Sequence, residues 1–321
     1  MKISLGRFAG LALALALFGS AAHAQGWPDK PVRMVINFPP GGPSDILTRM
    51  VDERLQAALG QPFVVENRPG ASGNIGADVV AKAAPDGHIF GITPDTVYTV
   101  NPLVFRKMTF DPWDTVPVTL LGSFSQMMVC NPSVPVTTLA DLVALAKKER
   151  LAYASGGAGV PGHLAAELLL SMTGATMTHV PYKGPAPATS DVMGGQVPCG
   201  FLATPTVLPH VKAGRLKALA VSTKERSALA PDVPTADQAG VRGFDAPFYL
   251  VLFAPKGTPA EIVSRMSEEV GKALADPKVR ERAATLDVTP LGGTPQQALS
   301  TLKASARKWE PVVKRIGLKM D

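Results

Sequence analysis

Met34-Val35-Ile36-Asn37-Phe38-Pro39-Pro40-Gly41-Gly42-Pro43-Ser44-Asp45 is a short apolar run that opens into a glycine-proline turn and continues as a helical pattern to Leu59. A second apolar run follows before Arg68-Pro69-Gly70. The plan returns downstream. Leu151-Ala152-Tyr153-Ala154 opens into Ser155-Gly156-Gly157-Ala158-Gly159-Val160-Pro161-Gly162, a helical pattern runs from His163 to Met172, and Val180-Pro181-Tyr182-Lys183-Gly184 closes the unit. Gly42 to Gly70 and Gly156 to Gly184 are both separated by 28 positions. Each stretch reads as strand, glycine turn, helix, strand, a parallel β-α-β unit. Each turn lies where unpaired backbone N–H groups and the positive end of a helix dipole meet. Two such ends in one chain point to an anion held from both sides.

The start of the chain reads as a targeting segment, 1–24. Lys2 and Arg7 precede an apolar core, Gly10 to Phe18, and Ala22-His23-Ala24 fits cleavage between small residues. The apolar run is too short to span a bilayer. The expected product begins at Gln25, has 297 residues, and is exported and soluble. Without Lys2 and Arg7, 30 basic residues face 26 acidic ones, a mild bias compatible with acidic ligands. The basic residues are dispersed, which argues against nucleic acid. Cys130 and Cys199 both sit in apolar, strand-like contexts; a disulfide and two buried thiols explain them equally.

Apolar runs alternate with amphipathic stretches, the pattern of an α/β protein. Strands are expected at Val32–Phe38, Phe63–Glu66, Ile89–Thr93, Leu120–Asn131, Leu151–Ala154, Thr178–Val180, Val197–Leu202, Leu216–Val221 and Tyr249–Ala254. Helices are expected between them, including a short one at Ala236–Ala239. The last quarter is helical, with Thr258-Pro259-Ala260-Glu261 read as a capping box. Leu120–Asn131 carries the chain into a second lobe and Tyr249–Ala254 brings it back. Lobe I is therefore expected to comprise 25–124 and 247–321, and lobe II 125–246, with the site in the crevice at the strand ends.

Gly157-Ala158-Gly159-Val160-Pro161-Gly162 matches the dinucleotide fingerprint, but Met177-Thr178-His179-Val180 offers no acid for a ribose. What survives is close backbone approach to a small anion. In the first turn, Gly42 suits the cap and Pro43 the first helical position, so the N–H groups of Ser44 and Asp45 are free. Asp45 either stiffens this turn or simply complements the dipole. His163 lines or braces the pocket. Lys183 offers a cation to the ligand or is a solvated turn residue. The candidate ligand contacts are Phe38, Pro40, Gly41, Gly42, Ser44, Asp45, Ser155, Gly157, Ala158, Gly159, His163 and Lys183. His88, His163, His179 and His210 show no metal-ligand spacing. A secreted α/β enzyme would need a nucleophile elbow, a metal cluster or a complete fingerprint, and the sequence has none. No catalytic residue, metal or cofactor is expected.

The residues resemble the Bug family, the periplasmic solute-binding proteins of tripartite tricarboxylate transporters. The match includes Trp27-Pro28-Asp29-Lys30-Pro31-Val32-Arg33, Phe38–Asp45, Glu66–Gly76, Ala81–Gly87, His179–Gly184, Lys212–Val221 and Pro231–Thr235. The resemblance implies a two-lobed periplasmic binding fold, type II-like, whose lobes close on a ligand carboxylate between two loops. These map onto Phe38–Asp45 and Ser155–His163, and ordered waters help bridge the ligand's distal end. It implies a monomer that serves membrane permease subunits and captures a dicarboxylate or carboxylated aromatic. The same closure would serve a sensing subunit. Val160 stands where the family often has serine, Pro198 and Leu202 where acids are common, and Tyr249 where tryptophan is frequent. Those departures favour a ligand with one recognised carboxylate and an apolar body.

Overall fold

The computed structural model describes residues 26–320, so the expected signal segment and its cleavage point lie outside the described residues. The chain starts with β1 (Val32–Ile36), α1 (Pro43–Leu59), β2 (Phe63–Asn67), α2 (Asn74–Ala81) and β3 (Ile89–Pro94). Short helices α3 (Thr96–Thr99) and α4 (Asn101–Val104) lead to β4 (Val116–Phe124) and β5 (Gln126–Cys130). Then come α5 (Leu139–Lys148), β6 (Leu151–Ser155), α6 (Pro161–Thr173), β7 (Met177–Pro181), α7 (Pro185–Met193), β8 (Cys199–Ala203), α8 (Thr204–Lys212) and β9 (Lys217–Val221). The return is β10 (Phe248–Ala254), α9 (Ala260–Ala275), α10 (Pro277–Ala284), β11 (Val288–Gly292) and α11 (Pro295–Ile316).

These strands form two sheets, ordered β11-β4-β10-β3-β1-β2 and β7-β6-β8-β5-β9. The sheets share one plan. In the first, β1 pairs in parallel with β2 and β3, and β10 inserts antiparallel between β3 and β4. In the second, β6 pairs in parallel with β7 and β8, and β5 inserts antiparallel between β8 and β9. Each inserted strand follows directly from a crossing between the sheets. The α/β class read from alternation is therefore realised as two such units. The crossings are tied together: the Gln126 N–H donates to Ser222 Oγ at 2.9 Å, and the Ala246 N–H donates to Ser222 O at 2.7 Å. Trp309 of α11, fully buried, stacks on Phe248 at 5.2 Å and locks the last helix to the first sheet.

Several local expectations are corrected. Leu120–Asn131 is two strands, because Ser125 leaves the ladder: its carbonyl accepts from the Thr204 N–H, and its hydroxyl lies 2.5 Å from Thr204 Oγ1. Ala236–Ala239 forms turns rather than a helix; its segment is used instead to bond back to Val221. The Thr258 box does not form, since Thr258 Oγ1 donates to Pro255 O and α9 starts without a side-chain cap. β11 carries no clear strand signal in the sequence because Pro290 interrupts it, and the proline is tolerated because β11 is an edge strand. Cys130 and Cys199 are cross-strand partners on β5 and β8 and are joined as a disulfide.

Asp52, buried on α1, carries one testable consequence. Its Oδ1 has no hydrogen-bond partner among the described residues, and burial pushes its carboxyl up to about 7, against the pull of Arg49. A raised carboxyl favours the protonated folded protein, so this contribution is full below about pH 4 and is lost as pH rises through about 7. Asp52→Asn is expected to stabilise the protein at pH 8 by on the order of 3 kcal/mol and to change little at pH 4. Denaturation midpoints of both proteins at the two pH values check this.

Candidate functional site

α1 begins at Pro43, whose fixed φ suits the first helical position, with Gly42 extended at the cap. The first intrahelical bond is Ile46 N–H to Gly42 O, so the N–H groups of Ser44 and Asp45 have no backbone acceptor. The Asp45 carboxylate accepts from Gly41 N–H at 3.2 Å, Arg49 Nε at 3.0 Å and Asn67 Nδ2 at 3.3 Å. Burial alone would raise its pKa, but these donors outweigh it and hold the group below the usual range. Asp45 thus fixes the turn around Gly41, whose φ of +83° suits glycine.

α6 repeats the arrangement. Pro161 opens it, Val160 is the extended cap, and Leu164 N–H to Val160 O is the first helical bond, which leaves the N–H groups of Gly162 and His163. Here a histidine does the bracing. His163 Nδ1 accepts from Gly159 N–H at 2.9 Å, and its ring stacks on His179 at 3.9 Å with an interplanar angle of 7°. The Tyr153 ring lies 5.0 Å from His179 and 6.5 Å from His163, so the three rings form one cluster. Burial, aided for His163 by His179, pulls the pKa values down to about 3 and 4, so both rings are neutral near pH 7. The Ser155 hydroxyl is committed to Gly157 O at 2.8 Å and His179 Nε2 at 2.7 Å.

Both helix starts face one cavity of about 40 Å³. Ser44 and Gln126 are the polar side chains of its lining, and no charged side chain among the described residues lines it. Phe38, Gly42 and Ser44 are the expected residues brought there. Phe38, Gly157, Ala158 and Lys183 line a separate recess of about 560 Å³, which shares Phe38 and Gly156 with the first. Pro40, Gly41, Asp45, Ser155, Gly159 and His163 line neither; they shape the turns from behind. Each turn also touches a loop of the other sheet: Ala158 O accepts from Ser72 Oγ, in the loop after β2, and Pro39 lies beside Gly184, in the loop after β7, where a Cβ would be 3.1 Å from Pro39 Cγ.

Phe124, Gln126 and Pro185 line the cavity without being among the expected contacts, and Leu202, expected only as an apolar departure from the family, lines it too. A signal existed for Gln126, since Ser125-Gln126 interrupts an otherwise apolar run. Its Nε2 makes only a 3.4 Å contact to Ser125 O, and its Oε1 lies beside Gly162.

A family model described as "Tripartite tricarboxylate transporter family receptor" matches residues 47–318. The chain belongs to this family. BugT of Bordetella pertussis is 34% identical over 318 residues, which is 97% of each chain. Among solved structures, R. palustris Rpa4515 with adipate is 36% identical with a TM-score of 0.88, covering 91% of this chain and 99% of that one. MatC of Rhodopseudomonas palustris with bound malate is 29% identical with a TM-score of 0.84, covering 89% of this chain and all of the other. The family is one of periplasmic binding proteins, and the two-sheet α/β plan is the fold that they share. In this member the starts meet over an apolar lining.

Proposed function

We propose that this chain is a periplasmic receptor that captures a small organic carboxylate between the starts of α1 and α6 and delivers it to a membrane permease. The observation that carries this is the convergence of two proline-led helix starts on one cavity, which Ser44 and Gly162 line and where their N–H groups have no backbone acceptor. A hydrogen bond to a charged partner contributes about 1.5–3 kcal/mol, so one from each helix start supplies about 3–6 kcal/mol without a salt bridge, and burial of the ligand's body adds the rest. The related structures with adipate and malate support a carboxylate as the class of ligand.

The working division is lobe I, 25–124 with 247–321, and lobe II, 125–246, hinged where Ser125, Ser222 and Ala246 meet. The receptor acts as a monomer, is released by cleavage after Ala24, and binds without turnover, metal or cofactor. A thermal-shift screen of carboxylates tests this. A true ligand at about 100 times its Kd adds roughly 2.7 kcal/mol of stability. It is expected to be recovered chemically unchanged after long incubation with stoichiometric protein. Product formation would replace this reading with an enzymatic one.

A further inference from the structure

We propose that the receptor selects monocarboxylates with a neutral, apolar body and discriminates against dicarboxylates of the same length. This inference rests on the carboxylate capture proposed above and narrows the ligand of that site. One carboxylate end is provided for by the two helix starts, whose Ser44 and Gly162 line the cavity with N–H groups that have no backbone acceptor. Nothing equivalent meets a second one. Apart from the turns and helix starts, the lining is Pro94, Phe124, Gln126, Leu202, Ala203 and Pro185. Phe124 and Leu202 are 5% and 1% exposed, so a group held against them is withdrawn from water. Gln126 is neutral, and its amide lies beside Gly162, at the start of α6 itself.

Cations near the site are placed elsewhere. Lys183 lines the separate recess, and Arg49 is paired with Asp45 at 3.0 Å. His163 and His179 are stacked behind the second turn, with Gly159 N–H and Ser155 Oγ as their respective partners. A second carboxylate in the cavity would therefore be desolvated without a counter-charge, which is costly for an ionised group. A methyl or aromatic end at the same place gains from burial instead. The cavity is only about 40 Å³, so the separation of the lobes sets the length of body admitted, while the lining sets its polarity.

Matched pairs of equal carbon number test this on the native protein. Titration calorimetry with hexanoate and adipate, and with butyrate and succinate, is expected to show the monocarboxylate bound at least about tenfold more tightly in whichever pair binds. 1-Hexanol, with the same chain and no charge, is expected not to bind. Adipate or succinate binding as tightly as its partner, or more so, would overturn the selectivity and leave carboxylate capture standing. Binding of 1-hexanol as tight as hexanoate would instead overturn carboxylate capture and the selectivity with it. Failure of all four acids to bind would also overturn both.

Discussion

Gly162→Ala is expected to cost binding at least about a hundredfold while destabilising the protein by about 1–3 kcal/mol. A Cβ at this position would lie 2.1 Å from Phe201 O, far inside contact distance. The obstacle is strand backbone, so no rotamer change relieves it, and α6 has to back away from β8. Its start then carries the N–H groups of Gly162 and His163 out of the 2.7–3.2 Å range that a hydrogen bond requires. Gly42→Ala is the matched control at the other helix start. Gly42 has φ of −90°, and its Cβ would meet Pro185 Cγ at an ordinary 3.6 Å, so this variant should fold within about 1 kcal/mol of the native protein. Valine at Gly41 or Gly157 would be less informative, because φ values of +83° and +145° strain any L side chain and mix misfolding with lost binding. Denaturant unfolding and calorimetric titration of the two alanine variants separate these effects.

The second large effect is the cross-link. Cys130 and Cys199 are separated by 69 residues and are both fully buried. Closing a loop of that size restricts the unfolded chain, and losing such a bridge typically costs about 2–5 kcal/mol. Reduction of the native protein should lower its denaturation midpoint accordingly, and Cys130→Ala/Cys199→Ala should match the reduced protein and ignore reductant. Binding should survive wherever the fold does, because Cys199 opens β8 whereas Leu202 and Ala203, at its other end, line the cavity. An unchanged midpoint on verified reduction would show that the β5–β8 ladder suffices alone.

The parts legible in the sequence are those written in local chemistry. Both β-α-β units announce themselves through an apolar run, glycines for the turn, and a proline at the first helical position. Those same signals place the N–H groups left free at both helix starts, so the two faces of the candidate site are legible in the sequence. What stayed hidden depends on distant partners. Leu120–Asn131 reads as one strand because hydrophobicity continues through Ser125-Gln126, while the break is imposed by Thr204, 79 residues away. Gln126 reaches the cavity only because of that break. His163 and His179 are both visible in the sequence, but their stack, which makes His163 a brace behind the turn, needs α6 and β7 to be packed together. The distribution of candidates over two cavities, with Lys183 in the outer recess, is likewise a tertiary fact.

The most direct measurement is a crystal structure of the protein with the tightest-binding carboxylate from the screen. The account predicts carboxylate oxygens about 2.7–3.2 Å from N–H groups at both helix starts, those of Ser44 or Asp45 and of Gly162 or His163, with the ligand's body against Phe124 and Leu202. A carboxylate anchored instead on the Lys183 ammonium in the outer recess, with both helix starts uninvolved, would contradict it.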